Sequence, residues 1–378
     1  MCHLRITTAV GKGAIRELKS EWTALQGLCP TITPWQTWEW NDTWWSLYGS
    51  RRRLHVVMFH NSASELVGLA PLCISPYLGT PLRRLSWVGT GPSDYLKPLA
   101  LPKFEHEVCS GLIAHLSEGP RDWDVADLQQ LPEGAAMLNC ASRVADCCSV
   151  SPLEPCPYLS LPGSWATLNA GFSKKFRYNL GYYDRLLARD VGETTYRTAS
   201  EETLERDLDT LFDLHQRRWR ARSLPGALAL AKVQTLHRTS ARRFLANGWL
   251  RLHMLEAGGE TVGALYCYAL NGRTFYYLGG FSLDHHKYSP GMLVTAAAVK
   301  QAIGEGCTEF DFLRGHEPYK YRWCSDHRMN QRILILRSER GVSGRLGMLL
   351  HRAENYVVVN AKAMAERQTR RSAGSESA

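Results

Sequence analysis

The stretch from Phe275 to Trp323 decides the fold and reads FYYLGGFSLDHHKYSPGMLVTAAAVKQAIGEGCTEFDFLRGHEPYKYRW. Its aromatic beginning predicts a strand, the small and apolar residues from 291 to 304 predict a helix, and TEFDFL predicts another strand. Ser289 suits the N-cap of that helix and Pro290 suits its first turn. A strand, a helix and a second strand followed by a polar loop are typical of an α+β unit.

The start of this helix is the first candidate binding site. Gly291 has no side chain, so a ligand can approach the backbone closely. The unpaired N–H groups and the positive end of the helix dipole attract phosphate. His285, His286 and Lys287 lie just upstream and could add charge. Ser-Pro-Gly also begins many helices that bind nothing, so the prediction depends on its place between an aromatic strand and a helix.

The two halves of the chain follow one plan. Trp22 lies in the helix-like segment AIRELKSEWTAL, and Val67 follows in a Val-Gly pair of a predicted hairpin. Trp219 and Val262 occupy the same places in the second half, at nearly the same spacing. A strand, a helix and a final strand come after each hairpin. Coincidence among common short strands is the alternative to a repeat, and the matching order of elements favours the repeat.

The repeat predicts two domains, with a boundary near Pro155 in the Pro- and Ser-rich segment SPLEPCPYLSLPGS, which is typical of a linker. We expect a first domain over residues 1–155 and a second over 156–345. A helix over 346–365 and a disordered tail over 366–378 are expected to follow.

Composition limits the class of protein. The 378 residues suit two globular domains, and the formal charge of +9 favours acidic partners unless the charges lie on solvated helix faces. The eleven cysteines form no CxxC pair, so we expect no metal site and no disulfide framework. Neither a signal peptide nor a long apolar run is present. These features predict a cytoplasmic protein without a transmembrane segment.

The second half resembles the FemAB-like branch of the GNAT superfamily of acyltransferases, and in particular the CelD-type acetyltransferases linked to bacterial cellulose and exopolysaccharide biosynthesis. The resemblance spans about residues 172–325, and the segments that carry it are FSKKFRYNL, LHQRRW, NGRTFYYLGGF, SPGMLV and EFDFLRGHEPYKYRW. The first half matches more loosely, through LVGLAPL and GPSDY. The resemblance implies two tandem GNAT-like domains, each a mixed, mostly antiparallel sheet flanked by helices.

The resemblance also implies a reaction. The donor is acetyl-CoA or another acyl-CoA, and the acceptor is an amine on a small molecule or a glycan precursor. The usual pyrophosphate loop of GNAT enzymes, Q/R-x-x-G-x-G/A, is replaced here by HKYSPG. This departure leaves open a Fem-type donor, an aminoacyl-tRNA, although nucleic acid is otherwise not expected. A third hypothesis is that the protein is a binding module with a catalytically inactive GNAT fold.

The position where GNAT enzymes hold the CoA pyrophosphate corresponds here to the start of the helix after the aromatic strand. The predicted donor-binding residues are Phe281, Lys287, Ser289, Pro290, Gly291 and Met292.

Acylation of an amine needs a base for the ammonium proton and an acid for the departing thiolate. Asp311, between two phenylalanines, is a candidate base with a raised pKa, or else a structural carboxylate paired with Arg314. Glu317 is the base if Asp311 is structural, and Tyr319 is a candidate acid or a packing residue. His215 is a further candidate base, or a satisfied buried histidine.

Binding of the substrate is assigned to residues that could line a cleft or hold a charged group. These are Asp94, Arg177, Trp219, Arg314 and Lys320. No nucleophile elbow, Walker loop or dinucleotide fingerprint is present, which excludes the main competing classes of enzyme.

Overall fold

The computed structural model describes residues 4–77, 82–118, 122–143, 148–224 and 226–336. The elements of the first half are β1 (Arg5–Ala9), α1 (Ala14–Glu17), α2 (Lys19–Gly27), α3 (Trp38–Tyr48), β2 (Arg53–His60), β3 (Leu66–Pro76), β4 (Arg83–Trp87), β5 (Leu99–Ala100), α4 (Glu105–Glu118), β6 (Val125–Leu131), α5 (Ala136–Ala141) and β7 (Cys148–Ser160). Those of the second half are α6 (Trp165–Gly171), α7 (Lys174–Asp190), β8 (Thr194–Thr198), α8 (Leu204–Arg220), α9 (Ala231–Ala246), β9 (Leu250–Ala257), β10 (Glu260–Leu270), β11 (Arg273–Phe281), α10 (Pro290–Gly304), β12 (Glu309–Asp311) and β13 (His327–Leu336). The predicted helix over 346–365 and the tail over 366–378 lie outside the described residues.

The two halves repeat the same arrangement of elements. Strands β2, β3 and β4 form an antiparallel meander, α4 follows, and β6 pairs in parallel with β4. Strands β9, β10 and β11, helix α10 and strand β12 repeat this order. Val67 on β3 and Val262 on β10 are both buried. The predicted α+β fold, with a mixed sheet flanked by helices in each half, is confirmed.

The last strand of each half pairs with the sheet of the other half. Strand β7 pairs with β12, β13 pairs with β6, and β7 and β13 pair with each other. One sheet therefore runs through the molecule in the order β1-β2-β3-β4-β6-β13-β7-β12-β11-β10-β9-β8, with β5 beside β3. The two repeated units are joined by an exchange of strands.

The segment predicted to be a linker is instead strand β7, and the predicted boundary at Pro155 falls inside this strand. Prolines lack an N–H donor and normally interrupt a sheet. Here β7 has β13 as its full-length neighbour, whereas β12 pairs only with residues 158–160. The carbonyls of Pro155 and Pro157 accept hydrogen bonds from Gly315 and Phe312, which follow β12. Pro155 and Pro157 therefore contribute carbonyl acceptors on the side where β12 has ended, and their missing N–H groups interrupt no strand pairing.

Helices cover both faces of the second half of the sheet. An added Cβ at Gly280 on β11 would lie 2.9 Å from the backbone nitrogen of His215, so α8 packs directly on one face. An added Cβ at Gly263 on β10 would lie 3.4 Å from the carbonyl oxygen of Pro290, so α10 packs on the other. Helix α7 contacts α10. Two glycines without side chains thus bring both helices close to the sheet.

Candidate active site

Strands β11 and β12 separate at the centre of the second half. They pair in parallel only from Arg273 to Phe275, and β11 then continues to Phe281 while β12 ends at Asp311. The register of the pairing between β11 and β10 shifts beside Tyr276, and this shift is a β-bulge. In the described part of the chain, no strand pairs with the edge of β11 beyond this point on the β12 side. The opening exposes backbone donors and acceptors that a ligand can use.

Helix α10 begins beside this opening, with Pro290 at its first position as predicted. Ser289 occupies the N-cap position as predicted, but its side chain makes no capping hydrogen bond. The reason is its left-handed backbone, with φ 51° and ψ 49°, because N-cap residues that cap with their side chain have extended backbones. The start of α10 therefore has no capping side chain from Ser289.

Gly291 makes room for an aromatic ring. A Cβ at this position would lie 3.2 Å from Cδ1 of Phe281, which is tight for any side chain. The guanidinium of Arg218 on α8 lies 4.6 Å from the centre of the same ring. Its Nε is buried and has no hydrogen-bond partner among the described residues. Arg218 is thus a cation beside the start of α10 that the sequence reasoning did not assign to the donor site.

Two other predicted donor residues lie around this start. The Lys287 ammonium lies 4.8 Å from the centre of the Tyr288 ring, and the Tyr288 hydroxyl donates to Asp190 at the end of α7. Met292, in the first turn of α10, lines a groove of about 950 Å³. The end of α7 and the groove therefore flank the predicted donor site on one side.

Asp311 is completely buried and its two oxygens are both used. The Tyr95 hydroxyl donates to Oδ2 at 2.7 Å, and the Leu313 N–H donates to Oδ1 at 2.7 Å. Burial raises the pKa of Asp311 to about 7, against the opposing charge of Arg328, whose Nη1 lies 3.7 Å from Oδ2. The raised pKa agrees with the prediction. The predicted pairing with Arg314 is wrong, because Arg328 on β13 takes that place.

Arg314 instead joins the two halves. Its Nε lies 3.2 Å from Oδ1 of the buried Asp94, and its Nη2 donates to the carbonyl of Gly91 at 2.6 Å. The Tyr277 hydroxyl donates to the carbonyl of Pro92. Burial raises the pKa of Asp94, and the charge of Arg314 opposes this. Asp94 and Arg314, both predicted to bind substrate, are thus partners of each other.

Tyr95 and Leu313 have left-handed backbone conformations, with φ of 52° and 56°, which residues other than glycine rarely adopt. Both residues donate the hydrogen bonds that hold Asp311. Such strain persists only where the surrounding structure imposes it. The carboxylate, the loop of the first half and the turn after β12 form one rigid unit.

Lys320 is buried and is used within the protein. Its Nζ donates to the carbonyls of Leu313 and Arg314 at 3.0 and 2.8 Å, and it lies 3.0 Å from Glu317 Oε2. Three partners fill the donor capacity of an ammonium group. Lys320 therefore holds the turn after β12, and the prediction that it binds a phosphate or carboxylate of the substrate has no support from its surroundings.

Glu317 and Tyr319 lie on the open side of the same turn. The side chain of Glu317 is 54% exposed, so solvent and substrate can reach it. The ring of Tyr319 lies 6.1 Å from that of Tyr276, beside the bulge in β11. Burial raises the pKa of Tyr319, so its hydroxyl keeps its proton at neutral pH. An exposed carboxylate and a protonated phenol thus border the opening.

His215 is buried on α8 and already has a partner. The indole N–H of Trp219 donates to His215 Nε2 at 3.0 Å, so the interaction predicted from their helical spacing is present. Burial, with the charge of Arg218, lowers the pKa of His215 to about 4. The imidazole is therefore neutral but a weak base at pH 7. This environment fits a buried histidine better than a general base, although its Nδ1 has no hydrogen-bond partner among the described residues.

Arg177 lies on the exposed side of α7, where its Nη1 donates to the carbonyl of Ala170 at 2.9 Å. In the described part of the chain, no hydrogen bond or ion pair joins Arg177 to the opening between β11 and β12. The structure therefore does not bring Arg177 together with the other predicted substrate residues.

A groove next to α7 was not found from the sequence. Its volume is about 950 Å³, and its walls come from the end of β7, the first half of α7 and the segment 321–326. Lys175 and Arg322 contribute positive charge, and Trp323 lies in its wall. A groove formed by segments so distant in sequence has no local signal.

Within the described ranges, no helix is long and apolar enough to cross a bilayer. The same residues contain no group of three or more His, Cys, Asp or Glu side chains that could hold a metal ion.

Comparisons with known proteins agree with this geometry. Residues 174–321 match the family model of the acetyltransferase (GNAT) domain. Among solved structures, FemX is similar with a TM-score of 0.61 at 11% identity, covering 84% of this chain and 96% of its own. The C-terminal domain of a proposed lysylphosphatidylglycerol synthetase from Agrobacterium fabrum is similar with a TM-score of 0.51 at 10% identity, covering 89% of this chain and 96% of its own. No curated protein matches the sequence. At these identities the structures show a common fold, and the FemAB-like resemblance fits it.

Proposed function

We propose, from the premise that residues 174–321 form an acetyltransferase (GNAT) domain, that the protein transfers an acyl group from acyl-CoA to an amine. One observation carries this proposal. Strands β11 and β12 separate directly beside the start of α10, within the matched segment. This leaves a free strand edge next to a helix start, which suits a donor that has both amides and a pyrophosphate.

Arg218 completes the donor site in this proposal. The HKYSPG segment lacks the arginine or glutamine of the usual pyrophosphate loop. Arg218 comes from α8 instead, lies over Phe281 beside Gly291, and has a buried Nε without a partner. A buried, unpaired donor costs free energy until a ligand pairs with it. Arg218 would therefore bind the anionic part of the donor.

Glu317 is the base that we favour. Both oxygens of the buried Asp311 already accept hydrogen bonds inside the protein, whereas Glu317 is 54% exposed and only its Oε2 lies beside Lys320. Glu317 would take the proton of the acceptor ammonium, whose nitrogen then forms a bond to the thioester carbonyl carbon. The carbon–sulfur bond breaks, and Tyr319 would give its proton to the thiolate. The nitrogen loses its second proton as the amide forms, and this proton would restore Tyr319. Asp311 would hold the strained turn that positions both side chains.

The proposed acceptor follows from the family resemblance and from the size of the groove beside α7. The resemblance to CelD-type enzymes suggests an amine on a polysaccharide or cell-envelope precursor. The 950 Å³ groove beside Met292 is large enough for more than a small amine, and it carries Lys175 and Arg322. The same size also suits a larger donor, such as the aminoacyl-tRNA of Fem-type enzymes. A GNAT fold that only binds a partner remains the non-catalytic alternative.

Isothermal titration with acetyl-CoA tests the donor. We expect the wild type to bind, and Arg218→Ala to weaken binding about tenfold or more, since a charge-assisted contact contributes about 1.5–3 kcal/mol. Arg220→Ala is the matched control, because this exposed arginine on the same helix pairs only with Gln216 in the described residues. Gly291→Trp should abolish binding, because its ring would displace Phe281.

Failure of the wild type to bind acetyl-CoA would contradict the proposed donor. Retention of charged tRNA on a filter would then favour Fem-type transfer, and co-purification of a protein partner without either ligand would favour a binding module. For catalysis, Glu317→Gln should lower kcat strongly while leaving acetyl-CoA affinity nearly unchanged. A Glu317→Gln enzyme with full turnover would refute the assignment of the base.

A further inference from the structure

One face of α7 is built differently from the other basic surfaces of the protein. Five residues spaced three or four apart along this 17-residue helix share the face, which runs over about 22 Å at 1.5 Å per residue. All five side chains are exposed, and we call this set the α7 stripe: Lys174, Tyr178, Tyr182, Arg185 and Arg189. The buried residues of α7, Phe176 and Leu187, lie on its opposite side. The stripe is therefore presented to solvent along its full length.

The charge of this helix is poorly compensated. Helix α7 carries five basic and two acidic side chains. In the parts of the chain that the structure describes, Lys174, Lys175 and Arg185 have no acidic partner. Of the two acids, Asp190 pairs with Arg189 and Asp184 accepts a hydrogen bond from Tyr196. An excess of unpaired cations on one surface attracts an anionic partner.

Helices α8 and α9 show what an ordinary solvated basic face looks like in this protein. Most of their arginines lie beside carboxylates that neutralise them, and Arg218 and Arg220 are the exceptions in the described residues. Arg217 pairs with Asp213, Arg238 with Asp209 and Glu205, and Arg242 with Glu205. In the α7 stripe only Arg189 has such a partner, Asp190, while Lys174 and Arg185 have none among the described residues. The difference argues against the simplest explanation, a solvated helix face.

Two exposed tyrosines stand in the middle of the stripe. The rings of Tyr178 and Tyr182 are stacked, with centres 5.6 Å apart, and the residues are 61% and 39% exposed. Gly181 lies beside them, and a Cβ there would be 3.1 Å from Nη1 of Arg185, so this arginine lies back along the helix. The centre of the stripe is thus an aromatic pair next to a guanidinium.

The aromatic pair favours a lipid surface over RNA as the partner. Single-stranded nucleic acid binds where separate rings offer their faces inside a basic groove. Here each ring already stacks on the other, and the stripe follows a straight helix on the outside of the protein. Tyrosine prefers the boundary between lipid headgroups and acyl chains, and cations near anionic headgroups add about 1 kcal/mol each.

We infer that the α7 stripe docks the protein on an anionic bilayer surface. Lys174 and Arg189 at its ends and Arg185 near its centre would meet the lipid phosphates, while the two tyrosines enter the headgroup layer. The 950 Å³ groove lies on the neighbouring side of α7, where Lys175, Phe176 and Asn179 line it. Docking would therefore bring the groove next to the lipid headgroups. The inference is independent of the proposed chemistry.

Sedimentation with lipid vesicles tests the docking with the full chain. The vesicles contain either phosphatidylcholine alone or about one third phosphatidylglycerol as the anionic lipid. We expect the wild type to bind only the anionic vesicles and to lose affinity as salt rises, because salt screens the cations. The triple variant K174E/R185E/R189E should lose at least tenfold in affinity. Y178S/Y182S, which keeps every charge, should lose several-fold.

The matched control is K12E/R51E/K103E, which makes the same change of charge at exposed positions of the first half. It should bind vesicles much more tightly than K174E/R185E/R189E. Equal loss in the control and in the stripe variant would reduce the effect to net charge and overturn the inference. Binding of the wild type to single-stranded oligouridine but not to anionic vesicles would overturn it as well. If acetyl-CoA binding is absent while vesicle binding is intact, the proposed function fails and the docking surface stands.

Discussion

At the scale of single residues, buried carboxylates define how the two halves meet. Asp311 on β12 is held by Tyr95 from the first half and faces Arg328 on β13. Asp127 on β6 forms a two-point ion pair with Arg332, four residues further along β13, at 2.6 and 2.8 Å. One strand thus places an arginine against a buried aspartate of each half.

The pKa of Asp311 predicts a pH dependence of stability. An unfolded aspartate has a pKa near 3.9, whereas burial raises that of Asp311 to about 7 in the folded protein. Between about pH 4 and pH 7 the folded state binds more protons, so this residue lowers the free energy of unfolding as the pH rises. The effect has an upper limit of about 1.4 kcal/mol per pH unit. Asp311→Asn should remove it.

Urea unfolding of the wild type and of Asp311→Asn at several pH values measures this contribution. The variant should gain stability relative to the wild type between about pH 4 and pH 7. Parallel curves across this range would show that the carboxyl of Asp311 is ionised throughout. Glu201→Gln is the control, since this carboxylate is exposed and its substitution should leave the curve almost unchanged.

The buried ion pair of Asp127 and Arg332 leads to a second prediction, which concerns the free energy of unfolding and not its dependence on pH. Asp127→Ala leaves the guanidinium of Arg332 buried without its carboxylate, and this should cost about 3–5 kcal/mol. The double substitution Asp127→Leu with Arg332→Met should recover most of the loss, because a buried ion pair and an apolar pair of similar volume are nearly equivalent. Urea midpoints of the wild type and of the two variants test this prediction. A double variant as unstable as Asp127→Ala would indicate a role beyond pairing.

At the scale of elements, close contact between α8 and β11 positions Arg218 and His215 relative to the opening. Gly280→Ala would place a Cβ 2.9 Å from the backbone nitrogen of His215 and 3.1 Å from the carbonyl oxygen of Leu211. Backbone atoms cannot turn aside, so we expect a loss of about 1–3 kcal/mol in the free energy of unfolding. Acetyl-CoA affinity should also fall, because α8 carries Arg218.

Gly304→Ala is the control for this substitution. An added Cβ at Gly304 meets nothing within 4 Å, and its position near the end of α10 favours alanine. Chemical denaturation should show equal or greater stability than the wild type. If Gly280→Ala were as stable as Gly304→Ala, the close packing of α8 on β11 would be contradicted.

At the scale of the whole molecule, the exchange of strands couples the two repeated units. Strand β13 lies between β6 and β7, and β7 reaches across to β12. Residues 1–162 alone would leave the edge of β6 unpaired, and residues 163–378 alone would leave β12 without β7. Unpaired buried strand edges favour aggregation over folding.

We therefore expect neither fragment to fold alone and the two to form a complex when expressed together. Gel filtration and tryptophan fluorescence during denaturation measure both outcomes. The intact chain should unfold in a single transition, since the shared sheet links the cores. A cooperative transition for residues 1–162 alone would contradict this coupling.

The sequence by itself determined the repeat, the order of its strands and helices, and the position of α10 after an aromatic strand. These follow from local patterns of apolar and turn-forming residues, which act within each element. It also predicted the raised pKa of Asp311, because two flanking phenylalanines indicate burial. The domain boundary at residue 155 stays a prediction, and so do the roles of the individual site residues.

Tertiary structure alone decided which elements meet. The linker predicted around Pro155 became β7 because β13, far along the chain, supplies its neighbour. Arg328 rather than Arg314 faces Asp311, and Arg218 reaches Phe281, because packing of separate elements sets these distances. Local sequence cannot encode such contacts, since they depend on how the chain folds back on itself.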